Sequence, residues 1–225
     1  MTPRGVYRLV AFMVIAGCVA VSYVAIRQRA GEPPAPPSPP GPRPAFQMPF
    51  PCGEVWTLTT YPGHDDFDID FFAASGATGG RTVLASAGGT VTWAGWSATL
   101  GDGKPAPAGS SGTRGGLGYG VIIDHGGGWF TEYGHFAAAP RVRTGDAVAP
   151  GQPIGVVGHT GSTTVDHLHY EQLNDRLDPK RTRGNGDKVE AVFDGVPSGI
   201  TSDEHSPDQT RTSRNCAASE ARPPA

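Results

Sequence analysis

Three stretches of this chain hold the residue types that metal-assisted hydrolysis needs. His167-Leu168-His169, taken as β-strand, alternates with period two, so His167 and His169 share one face while Leu168 and Tyr170 turn to the other. Upstream stand Gly63-His64, followed by Asp66, Asp68 and Asp70, and a further imidazole in Tyr133-Gly134-His135. Catalytic zinc takes three N/O ligands and keeps a fourth position open for water, whose pKa it lowers towards neutrality. Histidines beyond those ligands suit proton transfer, because an imidazole titrates near neutral pH. A lone His-x-His pair in a β-rich chain is more often surface or satisfied core than ligand; the other two stretches make the pair informative.

His64 with its following aspartates, then Tyr133-Gly134-His135, then Gly158-His159-Thr160-Gly161 leading into His167-Leu168-His169, resembles the lysostaphin/LytM-type zinc metallopeptidases. That family has the duplicated-hybrid-motif fold and cuts peptide cross-links in bacterial cell walls. The resemblance implies zinc held by His64, Asp70 and His169, with His135 and His167 as catalytic histidines off the metal. Asp68 stays open as the alternative to Asp70. The family's usual His-to-Asp spacing selects Asp68, whereas Ile69-Asp70-Phe71 matches its apolar-Asp-apolar strand. It also implies a peptidoglycan peptide as substrate, cut in stems or cross-bridges. The competing function is a non-enzymatic module of the same fold that binds cell wall or activates another hydrolase. His159 and His205 take no role from the family, and His125, in a glycine-rich turn, is expected to make a structural hydrogen bond. Asp166, beside His167, is expected to be a turn residue in preference to an orienting neighbour of that ring. Neither His-Glu-x-x-His nor Cys-x-x-Cys occurs, so a helix-borne zinc protease and a structural zinc module are unsupported.

The elements that position these residues read as short β segments punctuated by glycine. They are 55–60, 69–73, 82–85, 90–94, 121–124, 129–133, 154–157 and 167–172, with one last strand within 189–193. No segment keeps a 3.6-residue period, so the expected fold class is all-β, a compact antiparallel β-sandwich. Between Trp96 and Gly118 a Gly/Pro/Ser-rich insert is too polar for a strand. Loops of that length inside a domain often serve function.

The 225 residues divide into an N-terminal segment 1–29, a Pro-rich linker 30–46, a domain 47–197 and a polar tail from Ser198 to the end. Leu9 to Ile26 is an apolar run long enough for a slightly short transmembrane helix. A single-pass membrane anchor with the domain outside the cytoplasm is the leading expectation, ahead of a cleaved secretion signal and of lipid anchoring at Cys18. The arginines flanking the run are balanced and give no orientation. Cys52 and Cys216, the two cysteines outside the apolar run, are expected to pair as a disulfide in an exported domain. After residue 29 the chain carries all 21 acidic residues against 14 of the 18 Lys/Arg, a net −7, which argues against a nucleic-acid partner. Oligomeric state leaves no mark in the sequence.

Overall fold

The computed structural model describes residues 39–97, 116–176 and 188–216. The apolar N-terminal run, the first part of the Pro-rich linker, nearly all of the 96–118 insert and the segments 177–187 and 217–225 lie outside the described residues. Among the described residues every regular element is a strand: β1 (Val55–Thr59), β2 (Ile69–Ala73), β3 (Thr82–Leu84), β4 (Gly89–Ser97), β5 (Gly118–Asp124), β6 (Trp129–Phe136), β7 (Ala147–Val148), β8 (Pro153–Val156), β9 (Leu168–Asn174), β10 (Lys188–Val189), β11 (Val192–Phe193), β12 (Val196–Pro197) and β13 (Gln209–Thr212). The main sheet is antiparallel in the order β13-β1-β2-β9-β6-β5-β4-β7, with β10 added alongside β9. Strands β3 and β8 form one ribbon, β11 and β12 another.

Period-two alternation gives the main sheet two chemically different faces. Trp56 and Leu58 of β1, Ile69 and Phe71 of β2, Leu168 and Tyr170 of β9, and Tyr133 of β6 are fully buried in one apolar cluster. Each such side chain contributes about 1.5–3 kcal/mol by leaving water. The residues between them, Asp70 and His169 above all, are thereby turned to the opposite face. The register locks this arrangement, because Asp70 stands directly opposite His169 and Gly134 opposite His169 on the other side. A slip of one residue would send the site into the core.

The layer covering the core side is not a second sheet of equal size. Val83 and Ile154 from the β3–β8 ribbon, Phe193 from β11, and Met48 and Phe50 fill it. Phe50 stacks on Trp56 at 3.5 Å between ring centroids, and Phe193 meets both Phe71 and Tyr170 edge-on or tilted.

Three boundaries differ from the sequence expectation. The linker's end belongs to the fold: Gly41 N–H donates to Gly127 O, Arg43 lies over the Trp129 ring at 4.5 Å, and Phe46 is only 1% exposed. The polar tail joins it too, since Gln209–Thr212 pairs with β1 and buried Asn215 donates to Met48 O and Ala85 O. Its alternation of half-buried and exposed residues is that of an edge strand with one face on the domain, and an overall polar composition hides it. The strand anticipated within 189–193 splits, with Lys188–Val189 on β9 and Val192–Phe193 pairing with β12. The expected disulfide is present: Cys52 and Cys216, 164 residues apart, are joined with Cα atoms 4.6 Å from one another.

Candidate metal centre

Three donor atoms from two neighbouring strands and one loop converge on the polar face of the sheet. His64 Nε2 lies 3.1 Å from His169 Nδ1 and 3.5 Å from Asp70 Oδ1, and His169 Nδ1 lies 3.3 Å from Asp70 Oδ1. A tetrahedral ion with ligand bonds of about 2.0–2.1 Å has ligand–ligand edges of about 3.3 Å. The triangle therefore has the size and donor chemistry of one face of such a site. Asp68 stands apart from it, with both carboxylate oxygens 2.7 Å from Lys188 Nζ and its closer oxygen 3.9 Å from His169 Nε2.

The electrostatics follow from burial and mutual contact. Burial lowers His64 to about pH 4 despite Asp70 beside it. Burial alone would raise the Asp70 carboxyl, but hydrogen bonds from His167 and His169 hold it well below the carboxylate range. His169 is raised, because its bonds to Asp70 and Glu171 overcome the cost of burying charge. Burial next to the Glu171 carboxylate pushes Asp68 up to about 7 against the pull of Lys188.

The two other expected histidines flank the triangle. His135 and His167 have ring centroids 4.7 Å apart, and His167 Nε2 is 3.2 Å from Asp70 Oδ1. His135 Nδ1 donates to Thr160 O at 2.7 Å, which leaves Nε2 as the ring's acceptor. Burial, reinforced by the charges of His169 and His167, lowers its pKa to about 3, so the ring is neutral. His167 Nδ1 donates to Val165 O at 3.0 Å, and Phe72 stacks on its ring.

His135 reaches the site by an irregularity. After Tyr133 on the core face and Gly134 on the polar face, alternation would return residue 135 to the core. Instead His135 has φ +62°, and the β5–β6 register shifts between Tyr119 and Val121, so two β6 residues oppose one on β5. This bulge re-aims the imidazole into the groove. A non-glycine residue held left-handed costs on the order of 1–3 kcal/mol, a common expense at active sites.

A groove of about 490 Å³ runs over the centre, bounded by Tyr61, Asp65, Leu117, Ser162 and Thr163. A second cavity of about 390 Å³, floored by Phe72 and walled by Thr164 and Val165, adjoins it across His167 and Tyr61. Tyr61 is half exposed and stacks on His64 with ring centroids 4.7 Å apart.

The remaining histidines lie elsewhere. His125 bonds Gly88 O and Thr131 Oγ1, the structural role expected of it. Asp166 pairs with exposed His159 at 2.7 Å rather than orienting His167, and His205 is exposed beside Glu204. Residues that the sequence reading did not select are Glu171, Lys188 and Tyr61. The same period of two that pairs His167 with His169 also places Glu171 on their face; Lys188 carries no comparable signal.

The antiparallel sheet thus aims a His/Asp/His triangle, a group that can hold a metal ion, and two further imidazoles into an open groove. The family model described as Peptidase family M23 matches residues 68–179, and the chain belongs to that family, the one that includes the lysostaphin/LytM type. DD-carboxypeptidase/endopeptidase Mpg of Neisseria meningitidis serogroup B is 33% identical over 148 residues, 66% of this chain and 25% of Mpg. Peptidoglycan DD-endopeptidase ShyA of Vibrio cholerae is 44% identical over 53 residues, 24% of this chain and 12% of ShyA. The catalytic domain of lysostaphin from Staphylococcus simulans is 26% identical, covering 60% of this chain and 82% of that one, with a TM-score of 0.39. This chain thus spans a quarter or less of the length of these curated relatives.

Proposed function

We propose that this protein is a zinc-dependent endopeptidase that hydrolyses peptide bonds in the stems or cross-bridges of bacterial peptidoglycan. The observation that carries the reading is the donor triangle of His64 Nε2, Asp70 Oδ1 and His169 Nδ1, with edges of 3.1–3.5 Å. These three side chains would hold the zinc, with Asp70 rather than Asp68 as the carboxylate. Bound there, zinc supplies a Lewis acid for the scissile carbonyl and acidifies water.

The rest of the chemistry falls to the chain's own residues. His135, neutral and with its proton fixed on Nδ1 by Thr160 O, offers Nε2 as proton acceptor for the attacking water. His167, its ring oriented by Val165 O and lying 4.7 Å from that of His135, can donate towards the oxyanion and the leaving amine. The groove and the cavity that adjoins it across Tyr61 and His167 offer room for peptide on both sides of the cut bond. Leu9 to Ile26, outside the described residues, anchors the chain in the membrane with this domain beyond the cytoplasm, and the disulfide suits that compartment.

The test is zinc content together with mass spectrometry of fragments released from purified peptidoglycan by the full chain and by its His167→Ala variant. New peptide termini from the native protein alone, with one zinc in both, support the proposal. Bound zinc with no cleavage of any wall type would turn the function to a binding or activating module, and absence of zinc would remove the metal reading.

A further inference from the structure

Two residues beyond His169, on the same face of β9, the buried Glu171 accepts a hydrogen bond from His169 Nε2 at 2.9 Å. Both ring nitrogens face carboxylates, Nε2 that of Glu171 and Nδ1 that of Asp70; when Nδ1 gives its lone pair to a metal, the ring's one proton stands on Nε2, where Glu171 accepts it. Nδ1 is the atom that completes the triangle with His64 and Asp70. Glu171 is itself anchored. Lys188 Nζ lies 3.4 Å from Glu171 Oε1, 2.7 Å from both oxygens of Asp68 and 3.1 Å from Asp65 Oδ2.

Lys188 reaches this position because β10 is laid along β9, Lys188 opposite Leu173 and Val189 opposite Gln172. Asp68, His169 and Glu171 also have one donor atom each within 4.8 Å of one another, a composition that can hold a metal of its own. The cation among them is the Lys188 ammonium. It neutralises two buried carboxylates beside the first triangle and keeps Asp68 turned away from it.

We propose that Glu171, anchored by Lys188, is a positioning residue: it fixes the tautomer and ring orientation of His169 so that Nδ1 is presented to the metal. The proposal rests on the reading of His169 as a ligand. Partners of this kind on the far nitrogen of a ligating imidazole typically change metal affinity 10–100-fold when removed.

The experiment uses the full chain loaded with zinc alone, with affinity measured by chelator competition and the His169 tautomer read from long-range ¹H–¹⁵N couplings of the imidazole. Native protein is expected to show an Nε2–H imidazole bound through Nδ1. Glu171→Leu should weaken zinc by about 10–100-fold and lose the single Nε2–H signature; Lys188→Met should shift both readouts in the same direction. Glu171→Gln keeps an acceptor oxygen and near-native shape. It is expected to retain the tautomer at intermediate affinity, and it carries the test if the leucine variant does not fold. Unchanged affinity and tautomer in both Glu171 variants, with zinc lost in His169→Ala, would overturn the positioning role and leave the ligand assignment standing. Lowered thermal stability without change in either readout would also overturn it. Zinc bound equally by native and His169→Ala proteins would instead sink the ligand assignment and the proposal with it.

Discussion

Asp68 and Asp70 are both buried, both acidic and two residues apart, Asp68 just before β2 and Asp70 on it, so their difference lies in their partners. Asp70 meets three histidines, whereas Asp68 meets an ammonium. Asp70→Asn and His169→Ala should therefore each lose stoichiometric zinc and activity, while Asp68→Asn keeps zinc; metal analysis after gel filtration separates the cases. His167→Ala should keep zinc and lose about 10²–10⁴-fold in rate, the usual loss for a general acid–base group. The five residues that meet in the groove were legible as types at family spacing. The choice between the two aspartates was not, because Lys188 is 120 residues away from Asp68 in sequence.

At the scale of elements, the bulge that delivers His135 depends on a neighbouring turn with no room for a side chain. Gly118 has φ +63°, and a Cβ there would sit 2.4 Å from the Thr160 carbonyl carbon, whose oxygen accepts from His135. Gly118→Ala should cost about 2–3 kcal/mol from the strained φ and the overlap, read as a lower denaturation midpoint at unchanged m-value. It should also lower the rate by displacing the Thr160 acceptor. A second prediction concerns the β5–β6 turn. His125 is half-buried between Gly88 O and Thr131, with Phe46 edge-on and Asp124 nearby, and its desolvation lowers its pKa below the usual 6.5. A histidine lowered on folding adds stability that is present above its unfolded pKa and lost as pH falls below it. Between pH 7 and 5 the native protein should lose stability more steeply than His125→Gln, as followed by thermal denaturation at several pH values. The strands themselves were readable from alternation and glycine punctuation. The bulge was not, since nothing in Tyr133-Gly134-His135 marks a left-handed histidine.

Across the whole molecule, both ends of the described domain are tied to its body. Cys52 at the entry to β1 and Cys216 just past β13 close a loop of 164 residues, so Cys52→Ser/Cys216→Ser should cost about 2–5 kcal/mol. The loss should appear as a lower melting temperature that reductant does not change further, with zinc still bound once folded. The sequence alone determined the all-β class, the candidate ligands and proton-transfer histidines, the cysteine pair and the Pro-rich approach to the domain, because these rest on local period, residue type and spacing. Tertiary structure decided which aspartate joins the triangle, how His135 leaves the alternation, that residues 39–46 and 209–216 belong to the fold, and that Glu171 and Lys188 stand behind His169. Each of those depends on strands distant in the chain meeting in one register, and burial then forces every charged group brought together there to find a partner.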